Sequence, residues 1–253
     1  MRERRRKQTM ALDNITVRQA YTEFMREKKA FNLATETVNT YKLHIENFVN
    51  SNDFWDMPTS LLNKDLYQFW IEDMQEDENK KDVTVTSYCR SVRAFLYWLQ
   101  DNQYMEPCSL KLPKYQKTIK QCYTDDELSI LLKKPKVCSE VEYQSWVFIN
   151  LVCATGMRLS SALSIKVSDI QRKEHSIYVQ KTKNRNAQVF FVSDEMLSIL
   201  SKYIIQFELV DDDWLFCTAE KNQLAKRTIQ DNVADYNRKR GVSKTGIHLM
   251  RHT

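Results

Sequence analysis

The fold of this chain turns on the stretch Trp146-Val147-Phe148-Ile149-Asn150-Leu151-Val152-Cys153-Ala154-Thr155-Gly156-Met157-Arg158-Leu159-Ser160. Its apolar run predicts a buried helix. Gly156 predicts the end of that helix, because glycine adopts the left-handed conformation that closes many helices. Arg158 then follows at the edge of a core, where an arginine is typical of a site that binds an anion. A surface arginine after an ordinary helix cap explains the same pattern, so the rest of the chain has to decide.

The composition is that of a soluble globular protein. The chain has 253 residues, 42% hydrophobic and 28% charged, which is enough for one large or two ordinary domains. No apolar run is long enough to predict a membrane span and no signal peptide is recognised, so we expect a cytoplasmic protein without a membrane partner. The net charge of +5 is compatible with nucleic acid.

Several classes of site are excluded by what the chain lacks. With only three glycines, it has no glycine-rich phosphate loop. The six cysteines are scattered without a CxxC pair, so we interpret them as reduced thiols and predict no metal site. No cofactor and no small-molecule substrate are expected.

The N-terminal residues 1–10 form a basic tail that includes Arg4, Arg5 and Arg6. Such a run is typical of a solvated tail, and equally of an arm that lies along DNA phosphates.

Residues 11–105 predict a bundle of four amphipathic helices. The apolar stripes include Ile45 and Phe48 in the second helix, Leu66, Phe69, Trp70 and Met74 in the third, and Val92, Phe95 and Leu99 in the fourth. The second and fourth helices carry small hydroxyl and basic residues on the other face, which suits a phosphate surface: Thr40, Lys42, His44, Arg90 and Ser91. A solvated face has the same composition. If the face binds DNA, we predict that Thr40, Lys42 and Arg90 contact it.

Residues 106–121 predict a basic linker that could wrap a duplex, with Lys114 and Lys117 as candidate DNA contacts. Residues 122–253 predict a second domain of mixed α+β type that is mostly helical. Thr124-Asp125-Asp126-Glu127 is a capping box at its start. Two β-rich runs, 176–180 and 188–192, flank a basic turn and predict a hairpin.

Three separated segments of this second domain could build one phosphodiester site. They supply Arg158, a lysine in the hairpin turn, and the run His248-Leu249-Met250-Arg251. Histidine and arginine three residues apart share one face of a helical turn. Arginines can hold non-bridging oxygens and stabilise a pentacoordinate phosphorus, while histidine and lysine can move protons.

The order Ala-Thr-Gly-Met-Arg-Leu-Ser, a hairpin lysine and then His-Leu-Met-Arg-His-Thr resembles the tyrosine recombinases, also called phage integrases. The resemblance extends over nearly the whole chain. It implies that residues 11–105, with Thr37-x-x-x-Tyr41-x-x-x-Ile45-x-x-Phe48, form a SAM-like core-binding domain, and that residues 122–253 form most of a catalytic domain.

The resemblance implies roles for four residues. Arg158 matches the first catalytic arginine, Arg251 the second and His248 the histidine that precedes it. For the hairpin lysine, the distance to the following strand favours Lys181 over Lys183, which then remains a candidate DNA contact.

The resemblance also has two departures. Ser161 stands where relatives often have a carboxylate, and the sequence stops at Thr253, before the position of the family's nucleophilic tyrosine. By lineage the chain is a site-specific recombinase or integrase that cleaves and rejoins DNA through a phosphotyrosine. We expect this polypeptide, interpreted as a fragment of a mobile-element protein, to bind double-stranded DNA without cleaving it. The alternative is a non-catalytic DNA-binding protein that competes for sites or assembles with intact recombinase subunits.

Overall fold

The structure is a computed structural model that describes residues 15–116, 122–136, 138–179 and 187–251. Arg4, Arg5, Arg6, Lys117, Lys181 and Lys183 lie outside these residues. The chain divides into two compact units, Met1–Thr118 and Ile119–Thr253, each of which has its own hydrophobic core. The prediction of a mainly helical protein with one small sheet is confirmed.

The described residues of the first unit form four α-helices: α1 (Val17–Ala30), α2 (Thr35–Asn50), α3 (Lys64–Glu76) and α4 (Asp82–Asp101). Thr16 caps α1 in a capping box with Gln19, and the Asn63 side chain accepts hydrogen bonds from the first turn of α3. Edge-to-face contacts between aromatic rings, such as Phe24 with Phe95 and Phe48 with Trp70, fill the core between these helices.

Three side chains of the first unit lie on other faces than the sequence predicted. Phe69 was expected in the core but is 65% exposed, because the buried stripe of α3 runs through Tyr67, Trp70 and Met74. His44 and Ser91 were expected on a polar outer face but are buried where α2 packs against α4. His44 Nδ1 lies 2.9 Å from Ser91 Oγ, so each polar group satisfies the other in the interior.

Residues 106–116 lie along the first unit. Leu110 is buried in its core, and the Leu110 main chain exchanges two hydrogen bonds with the Tyr97 hydroxyl, at 3.2 and 3.3 Å. The Thr86 hydroxyl donates a hydrogen bond of 3.4 Å to the Pro113 carbonyl. Lys114 remains exposed on this segment.

In the second unit, the residues that the structure describes form six α-helices: α5 (Asp125–Leu132), α6 (Glu140–Thr155), α7 (Leu159–Leu163), α8 (Asp194–Gln206), α9 (Lys226–Lys239) and α10 (Ile247–Met250). The predicted capping box at Thr124 is confirmed, and Ser139 with Glu142 forms a second one at the start of α6. Helix α6 is the centre of this unit, because α5, α7, α8, α9 and α10 all pack against it.

The sheet of the second unit has three antiparallel strands in the order β1 (Ile170–Gln171), β2 (Ser176–Val179) and β3 (Gln188–Phe191). The predicted hairpin is formed by β2 and β3, with Val179 opposite Gln188 at the end nearer the connecting residues. The two-residue strand β1 was not predicted, because it is too short to show an alternating pattern. Among the described residues, no helix has the length and apolar character needed to cross a membrane.

The buried histidine of the first unit predicts a pH dependence of stability. Burial lowers the pKa of His44 below its usual value of 6.5. Just below pH 6.5, His44 is therefore protonated in the unfolded chain but still neutral in the folded unit. Because protonation favours the unfolded chain, the free energy of unfolding should fall as the pH drops from 6.5 toward the folded-state pKa. Urea titrations should show a larger loss on acidification in the wild type than in His44→Asn, whose amide can still bond to Ser91. Equal losses in both proteins would contradict this origin.

Candidate phosphodiester site

The first element of the candidate site is the end of α6. Gly156 adopts φ of 61° and ψ of 16°, and its N–H donates to the Val152 carbonyl at 2.9 Å. A Cβ at this position would meet no atom within 4 Å, so the left-handed backbone, and not lack of space, explains the glycine. The sequence prediction of a buried helix that ends at Gly156 is confirmed.

Arg158 follows two residues later with a fixed main chain. Its neighbour Met157 is buried, and the Arg158 carbonyl accepts the first hydrogen bond of α7, from Ala162 at 2.9 Å. Within the part of the chain that the structure describes, no carboxylate pairs with the guanidinium of Arg158, which is partly exposed. The hydroxyl of Ser161 is buried and has no partner among those residues. A cation without a carboxylate partner is available to an external anion.

The second element is the turn that carries His248 and Arg251. Ile247 and Met250 of α10 are buried, whereas His248 is exposed and Arg251 is partly exposed. Arg251 continues the helical turn with φ of −78° and ψ of −22°, so His248 and Arg251 are three residues apart on one helical turn. The apolar residues therefore anchor the turn, and the polar ones are left at the surface.

The two elements meet inside the second unit. Helix α10 packs on α6, and Met250 lines the same cavity of about 490 Å³ as Cys153 and Ala154. These two residues belong to the last turn of α6, shortly before Arg158, and Met250 directly precedes Arg251. The fold thus brings the ends of two segments about 90 residues apart in sequence to one place. Burial raises the pKa of the Cys153 thiol to about 11, so this cysteine is a neutral wall of the cavity.

The remaining predicted residues lie in the first unit or outside the residues that the structure describes. Lys181 and Lys183 belong to the segment between β2 and β3, outside the described residues, as do Arg4, Arg5, Arg6 and Lys117. Thr40, Lys42 and Arg90 are exposed on α2 and α4 of the first unit, and the Thr40 hydroxyl donates to the Glu36 carbonyl at 2.8 Å. Among the described residues, no group of three histidine, cysteine or acidic side chains is arranged to hold a metal ion.

The sequence did not predict a set of polar residues that are hydrogen-bonded to one another just before the His248–Arg251 turn: Tyr123, Glu127, Asn237 and Lys244. They come from three segments of the chain, and nothing in the local pattern of any one segment indicates the others. Only the buried polar position of Asn237 within an amphipathic helix gave a signal that sequence reasoning could have used.

The chain belongs to the phage integrase family, because the family model matches residues 121–253, more than half of its length. It is 29% identical over 180 residues to "Tyrosine recombinase XerA" of Saccharolobus solfataricus, a match that covers 66% of this chain and 57% of the relative. "Tyrosine recombinase XerC" of Staphylococcus epidermidis is 26% identical over 180 residues, with 68% of this chain and 60% of the relative covered. The matched part is thus less than two thirds of these curated relatives.

Solved structures share the fold of this chain at low sequence identity. A lambda integrase dimer bound to a COC' core site matches with a TM-score of 0.74 and 13% identity, covering 94% of this chain and 84% of that one. The XerH site-specific recombinase bound to palindromic difH substrate matches with a TM-score of 0.71 and 18% identity, covering 96% and 78%. These structures show a shared fold, and the family model and the named relatives confirm the predicted resemblance to tyrosine recombinases.

Proposed function

We propose that this chain is the DNA-binding and phosphate-binding part of a site-specific tyrosine recombinase. The observation that supports the proposal is the packing of α10 on α6, where Met250 lines one cavity with Cys153 and Ala154; Arg251 directly follows Met250, and Arg158 follows the end of α6. Family membership and the DNA-bound proteins among the similar folds support the same reading. Other recombinase subunits are proposed as partners, since one similar structure is a lambda integrase tetramer bound to a Holliday junction.

In the proposed site, Arg158 and Arg251 hold the non-bridging oxygens of a DNA phosphate. Two guanidiniums can bind these oxygens bidentately and offset the charge of the pentacoordinate transition state. His248 moves a proton to or from the nucleophile, and Lys181, or else Lys183, protonates the leaving oxygen. These steps need no metal ion, because the guanidiniums supply the positive charge.

The covalent step of the proposed reaction is attack by a tyrosine on the phosphate, which yields a 3′-phosphotyrosyl link and frees a 5′-hydroxyl. No tyrosine follows Arg251 in the 253 residues. A polypeptide of these residues is therefore expected to bind DNA and form no covalent link by itself.

Salt-dependent DNA binding tests the proposed function. The affinity of the 253-residue chain for a duplex should fall linearly with salt on a log–log plot, with a slope of about −0.9 for each neutralised phosphate. Deleting residues 1–10 should reduce the slope if Arg4, Arg5 and Arg6 contact phosphates. A slope near zero in both proteins would overturn the proposal. Incubation with a nicked suicide substrate should trap no covalent complex, and a trapped complex would contradict the expectation that these 253 residues form no covalent link by themselves.

A further inference from the structure

The segment 241–246, which joins α9 to the His248–Arg251 turn, has no regular structure of its own. It leaves α9 through Gly241, with φ of 75°, and the buried Val242 donates its N–H to the Asn237 carbonyl at 3.0 Å. It then passes Lys244 and reaches Gly246, which precedes α10. Because no helix or strand includes this segment, side-chain hydrogen bonds contribute to its position and therefore to the position of the turn that follows it.

Lys244 is held by both its main chain and its side chain. Its carbonyl accepts hydrogen bonds from the Tyr123 hydroxyl at 3.1 Å and from Asn237 Nδ2 at 2.8 Å. Its ammonium donates to the Cys122 carbonyl at 2.8 Å and to Glu127 Oε2 at 2.7 Å. The side chains of Lys244 and Glu127 are only 20% and 23% exposed, so the ion pair is shielded more than a typical surface pair.

The groups around Lys244 are themselves fixed. Asn237 is fully buried, and its Nδ2 also donates to the Tyr123 hydroxyl at 3.1 Å. Burial raises the pKa of Tyr123 to about 12, so its hydroxyl remains a donor at neutral pH. The hydrogen bond from Lys244 lowers the pKa of Glu127, which keeps this carboxylate ionised in the same range.

We propose that Tyr123, Glu127, Asn237 and Lys244, together called the Lys244 clasp, are positioning residues that hold the His248–Arg251 turn in place relative to Arg158. Glu127 belongs to α5, α5 packs on α6, and α6 ends just before Arg158. The clasp thus fixes the position of the turn relative to α5 and α6, and α6 ends just before Arg158. It acts through Arg251 and His248 and makes no contact with the phosphate.

This inference rests on the proposed function, because a positioning role has meaning only if Arg158 and Arg251 bind one phosphate. Two arginines that are held in place before the phosphate arrives bind it better than arginines on a loose turn, because a turn that is ordered only on binding costs affinity. Loss of the clasp should therefore weaken DNA binding without unfolding the second unit.

Lys244→Met and Glu127→Gln test the clasp against general electrostatics. Both variants should bind duplex DNA roughly three- to tenfold more weakly than the wild type, because the loosened turn must be ordered on binding. For Glu127→Gln the direction of the change in DNA affinity separates the two explanations. Removal of a negative charge should strengthen binding if only net charge mattered, whereas loss of the clasp should weaken it. Lys244→Arg should retain most of the wild-type affinity, since it keeps a donor for Glu127.

Matched controls come from the same unit. Glu142 is the third residue of α6 as Glu127 is of α5, each in a capping box, and Glu142 pairs with Lys239 at 3.2 Å. Glutamine keeps the capping function in both variants. Lys239→Met and Glu142→Gln repeat the charge changes at an ion pair that includes neither Lys244 nor Glu127, and we expect Glu142→Gln to bind DNA as well as the wild type or better.

Two further measurements test whether the clasp acts through the turn: the effect of Lys244→Met on affinity when Arg251→Ala is also present, and amide hydrogen exchange. Lys244→Met should cost less affinity once Arg251 is absent than it costs in the wild type, and it should speed amide exchange at 247–251 while α6 stays protected. Equal losses in both backgrounds, undiminished binding by Glu127→Gln, or unchanged exchange at 247–251 would each overturn the clasp. If the wild type and Arg251→Ala bound DNA equally, the proposed function would fail, while the exchange rates would still report whether the clasp holds the turn.

Discussion

Replacing Arg251 with alanine is expected to weaken the binding of duplex DNA by about ten- to hundredfold, the cost of hydrogen bonds to a charged group. The side chain lies next to Met250, which packs at the end of α6, and is partly exposed in a turn whose apolar residues carry the packing. Its removal should therefore leave the fold intact and act on the bound phosphate. Fluorescence anisotropy with a labelled duplex at fixed salt would measure the loss.

Three further variants separate phosphate recognition from loss of charge. Arg238→Ala removes the same charge from an exposed arginine of α9 that pairs with Asp235, and it should cost little affinity. Arg251→Lys keeps the charge but not the planar fork, so it should bind between the wild type and Arg251→Ala. Combining Arg158→Ala with Arg251→Ala should cost less than the sum of the single losses, because both side chains hold one phosphate. Equal binding by Arg251→Ala and Arg238→Ala would contradict the assigned role.

Helical periodicity predicted most of the first unit because its core is made of stripes on single helices. Ile45, Phe48 and Phe95 are all buried as the pattern indicated. The pattern wrongly predicted His44 and Ser91 to be exposed, because both are polar. They are buried because the side chain of one, on α2, hydrogen-bonds to the side chain of the other, on α4. Pairings of this kind depend on helix packing and leave no trace in the period of either helix.

The candidate site was predictable to the extent that it lies at the ends of regular elements. Gly156 fixes where α6 stops, so the position of Arg158 followed from the local sequence. The support for the His248–Arg251 turn did not, because Glu127 and Lys244 are 117 residues apart in the chain. A hydrogen bond between such distant residues is decided by the fold of the whole unit, and neither residue type signals it locally.

The largest effect on stability is expected at Asn237, where aspartate would replace an amide that donates two hydrogen bonds in a fully buried position. In Asn237→Asp, a carboxylate would face the Lys244 carbonyl, and Lys244 and Tyr123 would lose a donor. An uncompensated buried charge costs about 3–5 kcal/mol, which is a large fraction of the stability of an ordinary domain. Urea titration with pulsed hydrogen exchange, followed in peptides from residues 122–251, would measure the unfolding of the second unit separately from that of the first.

Asn232→Asp is the matched control for this variant, because Asn232 lies on the same helix α9 and lines an open cavity of about 350 Å³. There water can solvate the new carboxylate, so the loss should stay below about 1 kcal/mol. The deficit of Asn237→Asp should shrink at acid pH, where a protonated carboxyl regains one donor for the Lys244 carbonyl. Equal destabilisation by the two variants, or a deficit that grows on acidification, would mean that the buried amide does not hold segment 241–246 through its hydrogen bonds.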